Sequence, residues 1–116
     1  MVRKTNPDFM NGVPELLILN ELRNEQMYGY ELARAIRDGT AGALNFSEGV
    51  IYPTLHALEV AGALKSRRKT VNGRSRVYYA LTADGSRRLR RLEGSWTELA
   101  RAIHEVLERG TRGRAV

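Results

Sequence analysis

The sequence predicts a mainly α-helical fold with one β-hairpin, and three observations support this prediction. Three helical patterns follow one another, an Asn-Gly turn between two strand-like runs comes next, and one long amphipathic helix completes the pattern. A chain of 116 residues without an internal repeat suits a single domain. Three helices, a hairpin and a long helix in this order indicate a winged helix-turn-helix with a long C-terminal dimerisation helix.

The chain is expected to divide into a flexible N-terminal arm (1–11), the winged helix-turn-helix domain (12–81), the C-terminal helix (82–109) and a flexible tail (110–116). Pro14 marks the start of the first helix, which is expected to run to about Asn24. Apolar residues cover more than half of its circumference, so this helix is either central in the domain or shared with a second subunit. Leu16 is therefore assigned to a dimer interface.

The second and third helices are predicted from the spacing of their apolar residues. Gly39 is the expected C-terminal stop of the second helix. Ser47 is the expected N-cap of the third helix, which ends near Gly62. Pro53 is tolerable only near a helix start, because the first N–H groups have no intrahelical partners there. The third helix is thus expected to start nearer Gly49 or to bend.

The third helix is predicted to carry a DNA-contacting face. Ile51, Leu55 and Leu58 recur at i, i+4 and i+7 and form its buried stripe. Its opposite side carries Gly49, Tyr52, Pro53, His56 and Val60. The N-terminal part of this side is slim enough for the major groove, where a recognition helix meets base edges. Four of these residues and one from the second helix are assigned to DNA binding: Gly49, Tyr52, Pro53, His56 and Tyr30. In the alternative interpretation, Tyr52 packs on a neighbouring segment and His56 is a solvated surface residue.

The hairpin is predicted from Asn72 and Gly73, a strong signal for a two-residue turn. In the resulting register Leu64 faces Leu81, and this side of the hairpin suits a core. The other side gathers five cations, namely Lys65, Arg67, Lys69, Arg74 and Arg76. We assign all five to binding of double-stranded DNA. The alternative is an edge hairpin that its charges keep soluble.

The net charge of +6 is concentrated in this hairpin. Six of the 19 basic residues lie between Glu59 and Asp84, an interval without an acidic residue, and the other 13 balance the 13 acidic residues. Lys69 faces Arg76, and such a like-charge pair destabilises a bare hairpin. An anion between the two would relieve the repulsion. The charge distribution therefore predicts a polyanionic partner such as nucleic acid.

The last helix, capped by Thr82, is predicted to form a homodimer. Six residues follow heptad spacing and are assigned to the dimer interface: Leu89, Leu92, Trp96, Leu99, Ile103 and Val106. A helix of about 27 residues is roughly 40 Å long, more than a core of this size can cover. A two-fold dimer suits a pseudo-palindromic operator. Trp96 is either a bulky interface anchor or one wall of a small-molecule pocket between the subunits.

Composition excludes several other classes of protein. The chain has no cysteine, and its start, MVRKTNPDFM, lacks the apolar run of a signal peptide. No stretch approaches the roughly 18 apolar residues of a membrane span, so we expect a cytoplasmic protein. His56 and His104 lie on separate helices without triad partners, and His56 with Glu59 offers only two metal ligands. We expect no enzyme, no metal site and no cofactor.

Three segments resemble the PadR family of bacterial transcriptional regulators: YGYELARAI, SEGVIYPTLHALEVAGAL and GRSRVYYALTADG. The resemblance spans about residues 16–92. It implies a winged-helix dimer that binds operator DNA, usually as a repressor released by a ligand. Some small members hold a flat aromatic compound between two interface tryptophans, and Trp96 lies where such a residue would sit. The family often has histidine where this chain has Tyr28. The remaining alternative function is a winged-helix module that docks an acidic protein without binding DNA.

Overall fold

A computed structural model describes residues 12–111 of the chain. The helices are α1 (Val13–Glu21), α2 (Gly29–Gly39), α3 (Glu48–Val60) and α4 (Ala83–Thr111), and the strands are β1 (Met27–Tyr28), β2 (Leu64–Val71) and β3 (Arg74–Leu81). The predicted arm, 1–11, and residues 112–116 of the predicted tail lie outside this range. None of the described helices is long and apolar enough to cross a membrane.

The mainly helical fold with a β-hairpin is confirmed, with small shifts at the helix ends. The first helix ends at Glu21 rather than near Asn24, and the Leu22 N–H bonds to the Ile18 carbonyl 3.2 Å away. The third helix begins directly after Ser47, the expected N-cap, rather than nearer Gly49. The last helix continues to Thr111, so the predicted tail begins as helix.

The first helix occupies the centre of the core. Eight fully apolar side chains with at most 3 % exposure come from all four helices: Ile18, Leu19, Leu32, Ile36, Ile51, Leu55, Leu58 and Leu89. Two of them, Ile18 and Leu19, lie on α1 and are completely buried. No buried polar side chain among the described residues lacks a hydrogen-bond partner. The domain is therefore held by apolar packing around α1.

The sheet has three antiparallel strands in the order β1-β3-β2. The predicted register of the hairpin is confirmed, since Leu64 pairs with Leu81 and Lys69 with Arg76. Asn72 and Gly73 have φ values of 51° and 76°, as a type I′ turn requires. Strand β1 was not predicted, because two residues are too few to show an alternating pattern.

A hydrogen-bonded junction joins α3, the hairpin and α4. The Ala63 carbonyl, between α3 and β2, accepts the Thr82 N–H at 3.1 Å. The Thr82 hydroxyl donates to the Gly62 carbonyl at 2.6 Å and accepts the Gly85 N–H at 3.0 Å. Thr82 therefore caps α4, as predicted, and also ties the start of α4 to the end of α3.

The N-terminal part of α4 packs on its own chain rather than on a partner. Leu89 is 2 % exposed and belongs to the core, so its assignment to the dimer interface is wrong. The heptad pattern could not reveal this, because it does not show which turns of α4 are covered by α1. An ion pair of 2.5 Å between Arg88 and Glu15 holds α4 against α1.

We expect Gly85→Ala to destabilise the domain. A Cβ at this position would overlap the Ala63 carbonyl oxygen, so the start of α4 would have to move away from the junction. The free energy of unfolding should fall by about 2 kcal/mol, a typical cost of overpacking. Gly94→Ala is the matched control in the same helix, because no atom lies within 4 Å of its added Cβ. It should raise stability by about 0.5–1 kcal/mol through helix propensity. Urea unfolding monitored by circular dichroism tests both substitutions. Equal effects of the two would contradict the close packing of Gly85 against Ala63.

Candidate nucleic-acid interface

Helix α3 presents the side that the sequence predicts. Ile51, Leu55 and Leu58 are buried, whereas the opposite residues Gly49, Tyr52, Pro53, His56 and Val60 are exposed. Pro53 is the sixth residue of α3, so the helix passes through it rather than starting at it. Pro53 cannot donate the i→i−4 hydrogen bond that the Gly49 carbonyl would otherwise accept. The sixth N–H group of a helix ordinarily has an intrahelical partner, so Pro53 costs α3 one hydrogen bond.

Tyr52 both packs on a neighbour and remains accessible. Three atoms of its phenol would lie 2.6 to 2.7 Å from a Cβ at Gly29, so the ring rests directly on the backbone at the start of α2. The start of α2 is fixed in turn by the Glu31 carboxylate, which accepts the Tyr28 N–H at 3.2 Å. Tyr52 is nevertheless 44 % exposed. The packing interpretation is thus correct for one side of the ring, and the other side can meet a ligand.

One face of the hairpin, the inner face, is turned toward α3. It consists of Leu64, Ser66, Arg68, Thr70, Ser75, Val77, Tyr79 and Leu81. The Ser66 hydroxyl donates to the Glu59 carboxylate of α3 at 2.6 Å. Burial raises the pKa of Tyr79 above its ordinary 10.0, and nearby Glu59 and Tyr52 raise it further. Tyr79 therefore stays neutral near α3, where its hydroxyl can donate or accept a hydrogen bond.

The other face, the outer face, carries the five predicted cations and is turned away from α3. Its residues are Lys65, Arg67, Lys69, Val71, Arg74, Arg76, Tyr78 and Ala80. The Lys69 ammonium lies 4.5 Å from the ring centroid of Tyr78, and the Arg76 guanidinium lies 4.3 Å from that of Tyr28. The two rings meet edge to face at 5.4 Å. Each cation of the like-charge pair thus rests on its own aromatic ring, a stabilisation that was missed because β1 brings Tyr28 to the sheet.

A groove between α3 and the uncovered edge of β3, the edge groove, brings together part of the predicted site. It has a volume of about 470 Å³, and its lining includes Tyr30, Tyr52, Arg68, Arg74 and Arg76. Four of these five residues were assigned to DNA binding from the sequence. Arg68 was not, because alternation placed it on the side that suits a core. Arg68 is nevertheless exposed, whereas Ser66 on the same face is bonded to Glu59 of α3.

Three of the five predicted cations, Lys65, Arg67 and Lys69, do not line this groove. Lys65 and Arg67 line a depression of about 330 Å³ on the outer face together with Gln26 and Tyr78. The structure therefore does not join these two cations to the exposed side of α3.

Helix α2 contributes cations that the sequence reasoning missed. The Arg34 guanidinium lies 5.7 Å from the ring centroid of Tyr30, which is itself 58 % exposed. Arg34 and Arg37 line a cavity of about 240 Å³ beside the N-terminus of α3. The sequence spacing could have revealed this pair, since Tyr30 and Arg34 are four residues apart on the exposed side of a helix.

The remaining heptad positions of α4 form an exposed apolar stripe. Its members are Trp96, Leu99, Ile103 and Val106, together with Leu107, which the pattern did not include. Trp96 is 43 % exposed. Leu16 and Leu92, which are partly buried, line a shallow groove of about 170 Å³ with Trp96 and Leu99. The stripe thus continues from the core to the far end of α4.

Potential metal ligands do not gather within residues 12–111. No group of three or more His, Cys, Asp or Glu side chains could hold an ion there. The Glu59 carboxylate, one half of the weak pair with His56, is engaged by the Ser66 hydroxyl.

Comparisons with known proteins agree on one family. The Transcriptional regulator PadR-like family matches residues 18–91. Transcriptional regulator Rv3488 of Mycobacterium tuberculosis is 31 % identical over 96 residues, which cover 83 % of this chain and 87 % of that protein. Transcriptional regulator YqjI of Escherichia coli is 33 % identical over 108 residues, or 93 % of this chain, but the match spans only 47 % of YqjI. The chain thus covers about half the length of that relative. The crystal structure of a PadR family transcriptional regulator from Eggerthella lenta has a TM-score of 0.74 at 30 % identity and 87 % coverage of both chains.

We expect Gly29→Ala to destabilise the domain through Tyr52. The added methyl group would displace the phenol from the start of α2, at a cost of about 1 kcal/mol in the free energy of unfolding. In a Tyr52→Ala background the same substitution should cost nothing, because the obstructing ring is gone. Gly39→Ala, at the open end of the same helix, is the control and should not destabilise. Thermal unfolding of the double-mutant cycle measures the coupling. An undiminished cost in the Tyr52→Ala background would contradict this contact.

Proposed function

Because this chain belongs to the PadR-like family of transcriptional regulators, we propose that it acts as a dimeric repressor that binds a specific DNA operator. Family membership confirms the prediction that the chain is a regulator and not an enzyme. The repressor role, the dimer and the effector described below are our proposals. They rest on the geometry of this chain together with the resemblance.

The observation that carries the DNA-binding proposal is the exposed side of α3 beside a cationic groove. Gly49 has no side chain and Pro53 has a compact one, so the N-terminal half of α3 can approach base edges closely. Tyr52 and His56 project from the same side and can form hydrogen bonds to bases or phosphates. The arginines of the edge groove lie next to this side and offer partners for the DNA backbone.

The outer-face cations extend this proposal without direct contact to α3. Lys65, Arg67 and Lys69 raise the positive potential around the hairpin, which attracts DNA over distances of about a Debye length. We propose that these three residues mainly accelerate and strengthen non-specific binding. Arg74 and Arg76, which also line the edge groove, are proposed to contact the operator itself.

The dimer proposal rests on the exposed stripe of α4. A helix of 29 residues carries four large apolar side chains between Trp96 and Val106 that its own chain leaves about half exposed. Burying such a stripe against its two-fold copy is the usual way to remove it from water. Leu16 and Leu92, beside the start of the stripe, would extend the same contact. Two copies of α3 would then face two half-sites of a pseudo-palindromic operator.

The effector proposal concerns Trp96. This side chain lines the shallow groove with Leu16, Leu92 and Leu99. In a dimer the groove and its copy would enclose an apolar space that suits a flat aromatic molecule. We propose that such a molecule binds there and relieves operator binding. It can do so only if it binds the DNA-free arrangement of the dimer more tightly than the DNA-bound one.

DNA binding should be steeply dependent on salt. If one dimer neutralises about 8 phosphates, the logarithm of the association constant should fall against the logarithm of salt concentration with a slope near −7. Fluorescence anisotropy with a labelled random duplex measures this slope, and light scattering on the same sample should give twice the chain mass of 13.1 kDa. Selection from a random DNA pool should then yield inverted repeats with half-sites about 10 bp apart, or a multiple of that.

Polyglutamate is the control for the alternative function as a protein-docking module. An acidic polypeptide of the same total charge should compete poorly with duplex DNA if the protein reads the double helix. A slope near zero, or equal binding of polyglutamate, would contradict the DNA-binding proposal.

Planar aromatic compounds should quench the fluorescence of Trp96, the single tryptophan of the chain, and should weaken operator binding. Intrinsic fluorescence across a chemically broad panel measures the first effect, and operator binding in the presence of each hit measures the second. Trp96→Leu, which keeps the apolar stripe, should retain operator binding but lose the response to the compound. Absence of quenching across the panel would leave Trp96 as an interface anchor only.

A further inference from the structure

We propose that the edge groove binds one backbone phosphate of the operator in each subunit, and that Arg68 is its principal cation. This inference rests on the proposed function, since it names the part of the DNA that this groove holds. It also divides the hairpin by face, because it assigns the direct contact to the inner-face Arg68 rather than to its outer-face neighbour Arg67.

The first support is the uncovered edge of β3. Strand β1 pairs only with Tyr78 and Tyr79, so β3 has no neighbouring strand between Arg74 and Val77 on that side. In a hairpin with a two-residue turn, the closing pair Val71 and Arg74 bond to each other, and the pattern then alternates. Ser75 and Val77 therefore direct their backbone N–H groups, together with their carbonyls, toward the edge groove. Backbone N–H groups are among the commonest partners of DNA phosphates.

The second support is the position of Arg68 itself. Its Nη1 donates to the Ser75 hydroxyl across the strands at 3.3 Å, which holds the guanidinium on the inner face near the β3 edge. One such bond uses one of the five guanidinium N–H donors, so a planar fork remains for the two oxygens of a phosphate. The side chain is exposed, so binding requires little desolvation of protein.

The third support is the charge of the groove. Its lining, as the described residues define it, contains three arginines and four tyrosines and no carboxylate: Arg68, Arg74, Arg76, Tyr28, Tyr30, Tyr52 and Tyr79. Tyrosine hydroxyls are further donors for phosphate oxygens. An anion is therefore complementary to this surface, and neither a cation nor an apolar segment is.

The position of the groove identifies the anion as a backbone phosphate. Tyr52 belongs both to the groove and to the exposed side of α3 that is proposed to enter the major groove. The phosphate backbone borders the major groove, so it must pass beside α3 when this helix is inserted. The edge groove lies at that position, between α3 and the hairpin. Such a contact positions the protein on DNA without reading its sequence.

Arg67 and Arg68 offer a matched pair for the test, because they are adjacent, exposed and on opposite faces. Affinities for a selected operator and for an unrelated duplex are measured by anisotropy from 0.05 to 0.3 M salt. Arg68→Ala should weaken binding of both duplexes by the same factor, on the order of tenfold, and make the salt slope shallower by about 1.8 for two lost phosphate contacts per dimer. Arg67→Ala, which removes only part of the diffuse positive potential, should lower the slope by clearly less than Arg68→Ala does.

Two further variants separate charge from folding. Arg68→Lys keeps the charge and should keep most of the slope, although it loses the planar fork. Arg68→Gln removes the charge but can still donate to Ser75, so it should reproduce the loss seen with alanine even if the alanine variant is less stable. Thermal unfolding of each variant provides the check on folding.

Each outcome is assignable to one of the two proposals. If the wild-type protein itself does not bind duplex DNA, the proposed function fails. If the wild-type protein binds with a steep slope but Arg67→Ala reduces that slope as much as or more than Arg68→Ala, only the assignment of the edge groove is wrong. A change in base preference on Arg68→Ala would also overturn it, since the contact would then read bases rather than the backbone.

Discussion

The hydrogen-bonded junction around Ala63 sets the geometry on which the rest of the structure depends. The Ala63 carbonyl accepts the Thr82 N–H, and the Ala63 N–H donates to the Leu58 carbonyl at 2.9 Å. Ala63 is almost fully buried. The end of α3, both ends of the hairpin and the start of α4 meet at this point. The angle between α3, the hairpin and α4 is therefore fixed by a few backbone groups, and Gly85 is required because no side chain fits there.

The sequence predicted the regular features of this structure and missed the contacts between distant segments. The hairpin register and the exposed side of α3 follow from local turn chemistry and helical periodicity, so both were predictable. Strand β1 and the stacking of Arg76 on Tyr28 depend on where a distant two-residue segment lies, which no local pattern encodes. Leu89 and Arg68 show the same limit. Periodicity gives the face on which a residue lies, but only the packed structure shows whether that face is covered at that point.

The two faces of the hairpin hold positive charge in different ways. On the outer face, Lys69 and Arg76 lie over tyrosine rings, which fixes their positions and offsets their mutual repulsion. On the inner face, Arg68 is held by a single serine hydroxyl beside an uncovered strand edge. Side chains of equal charge thus differ in how firmly they are held and in which hydrogen-bonding groups surround them. A count of basic residues cannot distinguish these two environments.

Pro53 has a consequence for how α3 can discriminate between surfaces. Because the proline ring carries no hydrogen on nitrogen, the oxygen of Gly49 lacks the donor that an uninterrupted helix supplies. Solvent can satisfy this lone pair while the exposed side of the helix is free. Any partner that displaces this solvent would have to supply a hydrogen-bond donor in its place.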